Sequence, residues 1–386
     1  MLAYTFYDAD NRVRRYAEAL VMRGDEVDAI ALARPGQPVF EVIQGVRVFR
    51  IQTRVIDEAG PIDYLIKLLL FFFRSAWTVT TKHLRRPYNL IHVHSVPDFE
   101  VFATLVPRLM GARVILDIHD IVPEFYASKF KVGRESLKFR LLVLLEKISC
   151  AYSSHVIISN HLWEKTVTSR SVRPDKCTTI INFPDPAIFW PRPAHVRNNS
   201  EFVMCYPGTF SWHQGLDLAI EAVALLRDKA PGLRFLLVGD GPERKMLADM
   251  IEKLQLEDRV TIRGFMSLEL VAEVMSNVDL GVVPKRADSF GNEAFSTKIM
   301  EFMAMSVPVI ASRTRIDEYY FNDEILQFFK SGNVEDLAEK ILCLMHDPAR
   351  RTALCKQSAM FIAQNNWLVK KQEYLGLVDR LTACAA

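Results

Sequence analysis

Glu293-Ala294-Phe295-Ser296-Thr297-Lys298-Ile299-Met300-Glu301 is the stretch that decides how the chain is read. Before it, Asp279-Leu280-Gly281-Val282-Val283-Pro284 has the composition of a short buried strand stopped by proline. After it, Ile299, Met300, Phe302, Met303 and Met305 recur at helical spacing until Ser306-Val307-Pro308 ends the helix. Ser296 is the expected N-cap, so Thr297 and Lys298 fall in the first turn, where amide N–H groups lack helical partners. Such a terminus attracts anions, and the Lys298 ammonium strengthens it. Glu293 precedes the helix, and Glu301 lies about one and a half turns inside it. A carboxylate among methionine, isoleucine and phenylalanine costs free energy unless it is hydrogen-bonded or faces water. On an ordinary amphipathic helix Glu301 would simply face water, so the stretch has to be weighed with the rest of the chain. A nucleotide-sugar would match every group at once, with phosphates at the helix start, ribose hydroxyls at Glu301 and sugar hydroxyls at Glu293.

A chain of 386 residues is long enough for two domains with separate cores. Half of its residues are hydrophobic and 24% are charged, a globular composition. Residues 1–190 carry 25 Lys/Arg against 20 Asp/Glu, and the remainder 23 against 26. A basic first half suits an anionic membrane surface or a phosphorylated acceptor, while a net charge of +2 is too small for a nucleic-acid binder. Cys150, Cys177, Cys205, Cys343, Cys355 and Cys384 show no Cys-x-x-Cys spacing and read as reduced packing residues of a cytosolic protein. No secretory leader is expected ahead of the first strand. The most apolar run, Leu68 to Phe73 between Lys67 and Arg74, is too short to cross a bilayer.

Strand and helix patterns alternate from the start, which predicts parallel sheets covered on both faces. Leu2 to Thr5 reads as a first strand, followed by a loop, a helix to Arg23 stopped by Gly24, and a strand over Glu26 to Leu32. Tyr7-Asp8-Ala9-Asp10-Asn11-Arg12 stands where a dinucleotide-binding unit carries its glycines, so NAD and FAD are disfavoured. Residues 61–86 and the block from Lys129 to Lys147 mix leucine and aromatic residues with Lys and Arg. Helices of that kind lie on membranes or pack on ordinary cores. Two strands, Leu90 to Ser95 and Arg113 to Asp120, end in His94, Asp98, His119 and Asp120. Ligands of open parallel sheets bind at such carboxyl ends. His155 to Ser159 reads as the last strand of the first domain, and Trp190-Pro191-Arg192-Pro193 through Ser200 as the linker.

The second half opens with Phe202 to Thr209, a strand ending in the Gly208 turn, before a helix starting near Gln214-Gly215. The strand Leu233 to Val238 ends at Gly239-Asp240-Gly241, and Val260 to Ile262 ends at Arg263-Gly264-Phe265. Glycines there permit close backbone approach, and helix starts there could cradle a diphosphate. Beyond Pro308 to Ala311 the chain reads as helical, closing with an amphipathic helix over Trp367 to Leu381.

Pro207-Gly208-Thr209, Gln214-Gly215-Leu216-Asp217, Leu237 to Pro242, Glu293 to Glu301, Pro308-Val309-Ile310, and Asn182 with Phe189 and Pro191 together resemble retaining glycosyltransferase family four. The resemblance covers nearly the whole chain. It implies a GT-B fold with an acceptor domain over 1–190 and a donor domain over 191–365, two Rossmann-like domains facing across a cleft. It also implies that residues 366–386 form a helix crossing back to the first domain. Carried over residue by residue, it places His119 and Glu293 at the donor sugar and Glu301 on the ribose. Ser296, Thr297 and Lys298 fall at the phosphates, and Gly208, Thr209, Gln214, Gly239 and Gly241 along the diphosphate. Arg263 and Phe265 fall at the base, and His94, Asp98 and Asp120 on the acceptor side. The family often has an arginine after the first glycine and a lysine before the second; here Thr209 and Gln214 stand instead. That leaves Lys298, His213, Lys285 or Arg286 to neutralise the diphosphate.

The implied chemistry is a retaining, front-face transfer from a UDP- or GDP-linked sugar with no metal and no cofactor. Residues spaced for metal ligation are absent from the sequence pattern. The basic, apolar helices of the first half fit a lipid-linked acceptor, such as a polyprenyl-diphosphate sugar. The protein is then expected on the inner face of a bacterial plasma membrane, making exopolysaccharide or lipopolysaccharide. A nucleotide-sugar epimerase of the same fold and an inactive nucleotide-binding homologue are the alternatives.

Overall fold

The computed structural model describes residues 1–55, 61–192 and 201–383. Cys384 and residues 193–200 of the expected linker lie outside the described residues. The chain divides into two compact units, Met1–Asn182 together with the chain from Lys371, and Phe183–Lys370. The expected boundaries at 190/191 and 365/366 thus differ from the observed ones by several residues. The cause is local hydrogen bonding. Arg12 donates to the Ile180 carbonyl at 2.8 Å and ties that segment to the first unit, while the Trp367 N–H donates to the Pro184 carbonyl at 3.0 Å within the second.

In the first unit the strands are β1 (Leu2–Phe6), β2 (Asp28–Ala33), β3 (Phe40–Ile43), β4 (Val46–Thr53), β5 (Leu90–His94), β6 (Arg113–Ile118), β7 (His155–Ile158) and β8 (Cys177–Thr179). They form one sheet in the order β3-β4-β2-β1-β5-β6-β7-β8, parallel except for the β3–β4 pairing. That hairpin turns at Gln44-Gly45, both at positive φ. It is an addition to the strands expected from the sequence pattern, and β8 rather than β7 closes the sheet. The helix Asn11–Arg23 is capped by Asp10, whose carboxylate accepts from the Arg12 and Val13 N–H groups, and it stops at Gly24 with φ 102°. Asp10 therefore occupies the helix start that a dinucleotide's phosphates would need. The basic block from Lys129 to Lys147 is not one helix. The helix Val122–Phe130 ends at Lys131 in the left-handed region, and a new one, Leu137–Tyr152, starts at the Ser136 cap.

In the second unit β9 (Phe202–Pro207), β10 (Leu233–Val238), β11 (Val260–Arg263), β12 (Leu280–Val283), β13 (Val309–Ser312) and β14 (Gln327–Phe329) form a parallel sheet. Its order is β11-β10-β9-β12-β13-β14. The short β14 lies in a region that reads as helical. Leu216, Ala219, Ile220 and Val223 of one helix meet Leu337, Ile341 and Leu344 of another in the apolar core.

Both sheets grow outward in two directions from a central pair of strands, β1 and β5 in the first unit and β9 and β12 in the second. Loops leaving such a pair diverge to opposite faces and open a crevice at the carboxyl ends. His94 and His119 lie at the first of these places, and Gly208 and the Ser296–Lys298 turn at the second.

Candidate functional site

At the switch point of the second unit, the Gly208 turn after β9 lies beside the helix Thr297–Ala304 that follows β12. Ser296 occupies the N-cap in extended conformation but makes no side-chain cap bond, and its buried Oγ has no partner among the described residues. Thr297 and Lys298 form the first turn, both half-buried. The Lys298 chain runs across Gly208, where a Cβ would collide with its Cε and Nζ. Gly208 sits at φ 136°, a conformation that calls for glycine, while the Lys298 chain end beside it could shift. Desolvation lowers the Lys298 pKa, opposed by the Glu301 carboxylate. The ammonium lies 5.3 Å from the Tyr206 ring centre.

The neighbouring glycines shape this turn. A Cβ on Gly239 would strike the Gly208 carbonyl, and one on Gly241 the Phe210 backbone. The Phe210 N–H donates to Asp240 O at 2.9 Å, and the Glu243 N–H to Phe210 O at 3.0 Å, so the two turns interlock. Thr209 is exposed, and Gln214 is half-buried in the short turn Trp212–Gln214. Arg263 ends β11, its carbonyl accepting from the Gly239 N–H at 3.0 Å, with Phe265 exposed beyond it. Glu293 is held by Arg315 at 2.7 Å. Glu301 is half-buried within the helix.

Two of the four cations considered for the diphosphate are engaged elsewhere. Lys285 is buried, 2.9 Å from Asp317, and donates to the Ala294 carbonyl at 2.7 Å. Arg286 makes a two-pronged bond to Asp217 and donates to the Trp212 carbonyl at 2.6 Å. Lys298 and His213 remain. His213 has its Nε2 3.2 Å from Ser211 Oγ, and desolvation holds its pKa below the ordinary value.

In the first unit the fold assembles a cluster that the sequence pattern does not announce. Asp117, fully buried on β6, receives Arg12 Nε at 2.8 Å and Nη2 at 2.7 Å. Around the same carboxylate stand His94 Nδ1 at 3.3 Å, His119 Nε2 at 3.4 Å and His92 Nε2 at 3.5 Å. His94 and His119 lie 3.1 Å apart, and His92 Nδ1 is 3.0 Å from the Tyr374 hydroxyl on the helix Trp367–Ala383. Burial pushes the pKa of His92 and His94 down. Asp117 resists its own desolvation through Arg12 and the imidazoles, and stays well below the usual carboxylate range. Asp120 follows His119 and is half-buried, its pKa raised by desolvation. Asp98 is separate. Buried, it accepts from Ser95 Oγ at 2.6 Å and is pushed up to about 7 by desolvation.

His92, His94 and Asp117 place ligand atoms within 4.8 Å of one another, a grouping with metal-site spacing that no local motif revealed. Arg12 already bonds both carboxylate oxygens, and a divalent cation on Asp117 would meet the guanidinium at contact distance. The donor set therefore fits an arginine-neutralised carboxylate, not a metal centre.

The signal that could have found this pair is an acid in the apolar strand Val114-Ile115-Leu116-Asp117-Ile118, which demands a partner. Its partner lies 105 residues away, and nothing local names it.

The description "Glycosyl transferase 4-like domain" matches residues 9–182, and "Glycosyl transferases group 1" matches residues 191–360. The chain belongs to the GT4-type glycosyltransferases, of GT-B fold. Within that family it is 25% identical to the phosphatidylinositol N-acetylglucosaminyltransferase gpi3 subunit of Schizosaccharomyces pombe, over 60% of this chain and 47% of that one. It spans about half the length of the curated relatives it matches first. In fold it is similar to sucrose-phosphate synthase from Thermosynechococcus elongatus, with TM-score 0.80 at 22% identity over 99% of this chain and 98% of that one. It is also similar to Anabaena HepE in complex with UDP-glucose, with TM-score 0.73 at 18% identity over 98% of each chain.

Proposed function

We propose that the chain transfers a sugar, with retention, from a nucleoside-diphosphate sugar held at the second unit's switch point. The observation that carries this reading is the start of the helix Thr297–Ala304. It has an orphan Ser296 hydroxyl, no side-chain cap, and a Lys298 chain that lies over Gly208. Glu301 takes the ribose hydroxyls, and Glu293 takes the sugar. Lys298 neutralises charge, and neutral His213 can donate a hydrogen bond, as the bond from the anomeric carbon to the phosphate oxygen breaks. The acceptor hydroxyl bonds to the anomeric carbon on the same face, and its proton passes to the departing phosphate oxygen. Positioning and charge stabilisation account for the rate, with no protein nucleophile.

The acceptor is a lipid-linked saccharide. On the helix Pro61–Arg85, Ile66, Leu69, Phe73 and Trp77 are exposed along one face, and on Leu137–Tyr152 so are Leu141, Leu144 and Ile148. Lys67, Arg74, Lys138, Arg140 and Lys147 flank them, a pattern suited to the anionic face of a bilayer. Among the described residues no helix is long and apolar enough to cross a membrane. That supports a peripheral enzyme of cell-surface polysaccharide assembly.

A thermal-shift screen of UDP- and GDP-sugars against wild type and Glu301→Ala tests the donor site. One donor should raise the wild-type midpoint, and the variant should lose that shift. Equal shifts in both proteins would sink the assignment. Flotation with vesicles containing phosphatidylglycerol tests the surface: wild type should float, and Phe73→Asp/Trp77→Asp should not.

A further inference from the structure

We infer that Tyr206 is a positioning residue of the donor site: its ring seats the Lys298 ammonium, and its hydroxyl locks the Gly208-Thr209 turn against which that lysine lies. This deepens the proposed function, because it rests on Lys298 meeting the diphosphate. Tyr206 stands where the crevice opens. β9 keeps its register with β10 through Pro207 but with β12 only through Cys205, so Tyr206 is the first residue of the strand beyond the β12 pairing. It is fully buried in the apolar core of the second unit.

Packing alone does not account for a tyrosine there. A phenylalanine fills the same space, and a buried hydroxyl costs free energy unless it is bonded. Burial holds the phenol's pKa above its ordinary value, so it remains an O–H donor. Tyr206 Oη donates to the Thr209 carbonyl at 3.2 Å, and the N–H of the same peptide unit, on Phe210, donates to the Asp240 carbonyl at 2.9 Å. That peptide plane is held from both ends. The Gly208 N–H is held as well, by the Val238 carbonyl at 2.8 Å. The turn is thus fixed by the protein's own bonds.

The ring acts on the lysine. Lys298 Nζ lies over it, 5.3 Å from its centre, within the range at which the negative face of an aromatic ring attracts a cation. Desolvation disfavours the ammonium's charge. Glu301 on the same helix opposes that effect, Lys285 after β12 adds to it, and His213 in the turn Trp212–Gln214 feels the Lys298 charge in its own pKa. With Lys285 and Arg286 engaged by Asp317 and Asp217, the seat of the Lys298 ammonium sets where positive charge meets a diphosphate.

The test uses the full chain with its lysines carbon-13 labelled at Cε, the Lys298 signal being assigned by its loss in Lys298→Met. Two changes separate ring from hydroxyl, and both keep the core filled. Tyr206→Phe removes the hydroxyl alone; a ring-fluorinated phenylalanine installed at 206 also strips the ring face of its negative charge. Lys298 should titrate at lower pH with the fluorinated ring than in Tyr206→Phe, because its charged form has lost a partner. In calorimetric titrations Tyr206→Phe should bind UDP or GDP about fivefold more weakly than wild type, the worth of one neutral hydrogen bond, and the fluorinated protein more weakly still. Equal Lys298 titration in the two altered proteins, or wild-type affinity in Tyr206→Phe, overturns the inference. The two readings fail separately: a wild type that binds neither UDP nor GDP removes the donor site, while the Lys298 titration still decides whether the ring carries the ammonium.

Discussion

The two switch points occupy equivalent places in equivalent sheets and treat charge in opposite ways. In the first unit, Arg12, Asp117 and three histidines satisfy one another in the interior. In the second, the helix start has no side-chain cap, and the buried Ser296 hydroxyl has no partner among the described residues. The first cluster uses its interactions to hold side chains in place. The second leaves donors to be met by something that arrives. The same topology can thus close a set of charges on itself or leave donors open, depending on whether the counter-charge is in the sequence.

The comparison is broken most severely by removing one half of the closed pair. Arg12→Ala strands a buried carboxylate and should cost about 3–5 kcal/mol, read as a lowered urea midpoint for the first unit. Arg12→Met/Asp117→Leu should recover most of that loss. A double variant as unstable as the single would show that the pair is not self-compensating.

Next comes Glu100, a carboxylate buried with only the Ser75 hydroxyl near enough to offset its desolvation. Burial pushes its pKa up to about 8. The folded state therefore binds the proton more tightly than the unfolded one, so this stability is complete below the usual glutamate range near pH 4.5 and is lost as pH rises toward 8. Glu100→Gln should flatten the stability–pH profile over that window and gain on the order of 3 kcal/mol at pH 7. An unchanged profile would mean that the group is already paired.

On the open side, Lys298→Met should barely move the unfolding midpoint and yet weaken UDP or GDP binding roughly 10–100-fold, the worth of one charged hydrogen bond. Calorimetric titration checks it; loss of stability without loss of affinity would make Lys298 a structural cation like Lys285. The smallest effect is expected at the closed cluster's edge. Tyr374→Phe removes the hydroxyl from His92 and should cost about 1 kcal/mol, measured as a small drop in the same urea midpoint.

Legibility differed between the two places for a physical reason. The proposed anion cradle is local: strand, turn, cap and first helical turn follow one another between Leu280 and Glu301, and capping rules place Ser296, Thr297 and Lys298 without knowledge of the fold. What remained hidden there was which cation is spare, since Lys285 and Arg286 are claimed by Asp317 and Asp217 only after the chain closes. The hairpin Phe40–Thr53 and the short strands β8 and β14 escaped because few residues at an edge give little periodicity.

Residues close together along the chain were enough to set the alternation of strands and helices, the glycine turns after β9 and β10, and the helix start after β12. Each of these depends on side chains within one turn or one strand of another. Folding alone brings Arg12 to Asp117, gathers His92, His94 and His119 around that carboxylate, and carries Tyr374 to them from the far end of the chain. Those contacts join the helix after β1, β5, β6 and the last helix across the sheet, and strand order, not spacing along the chain, sets which side chains become neighbours.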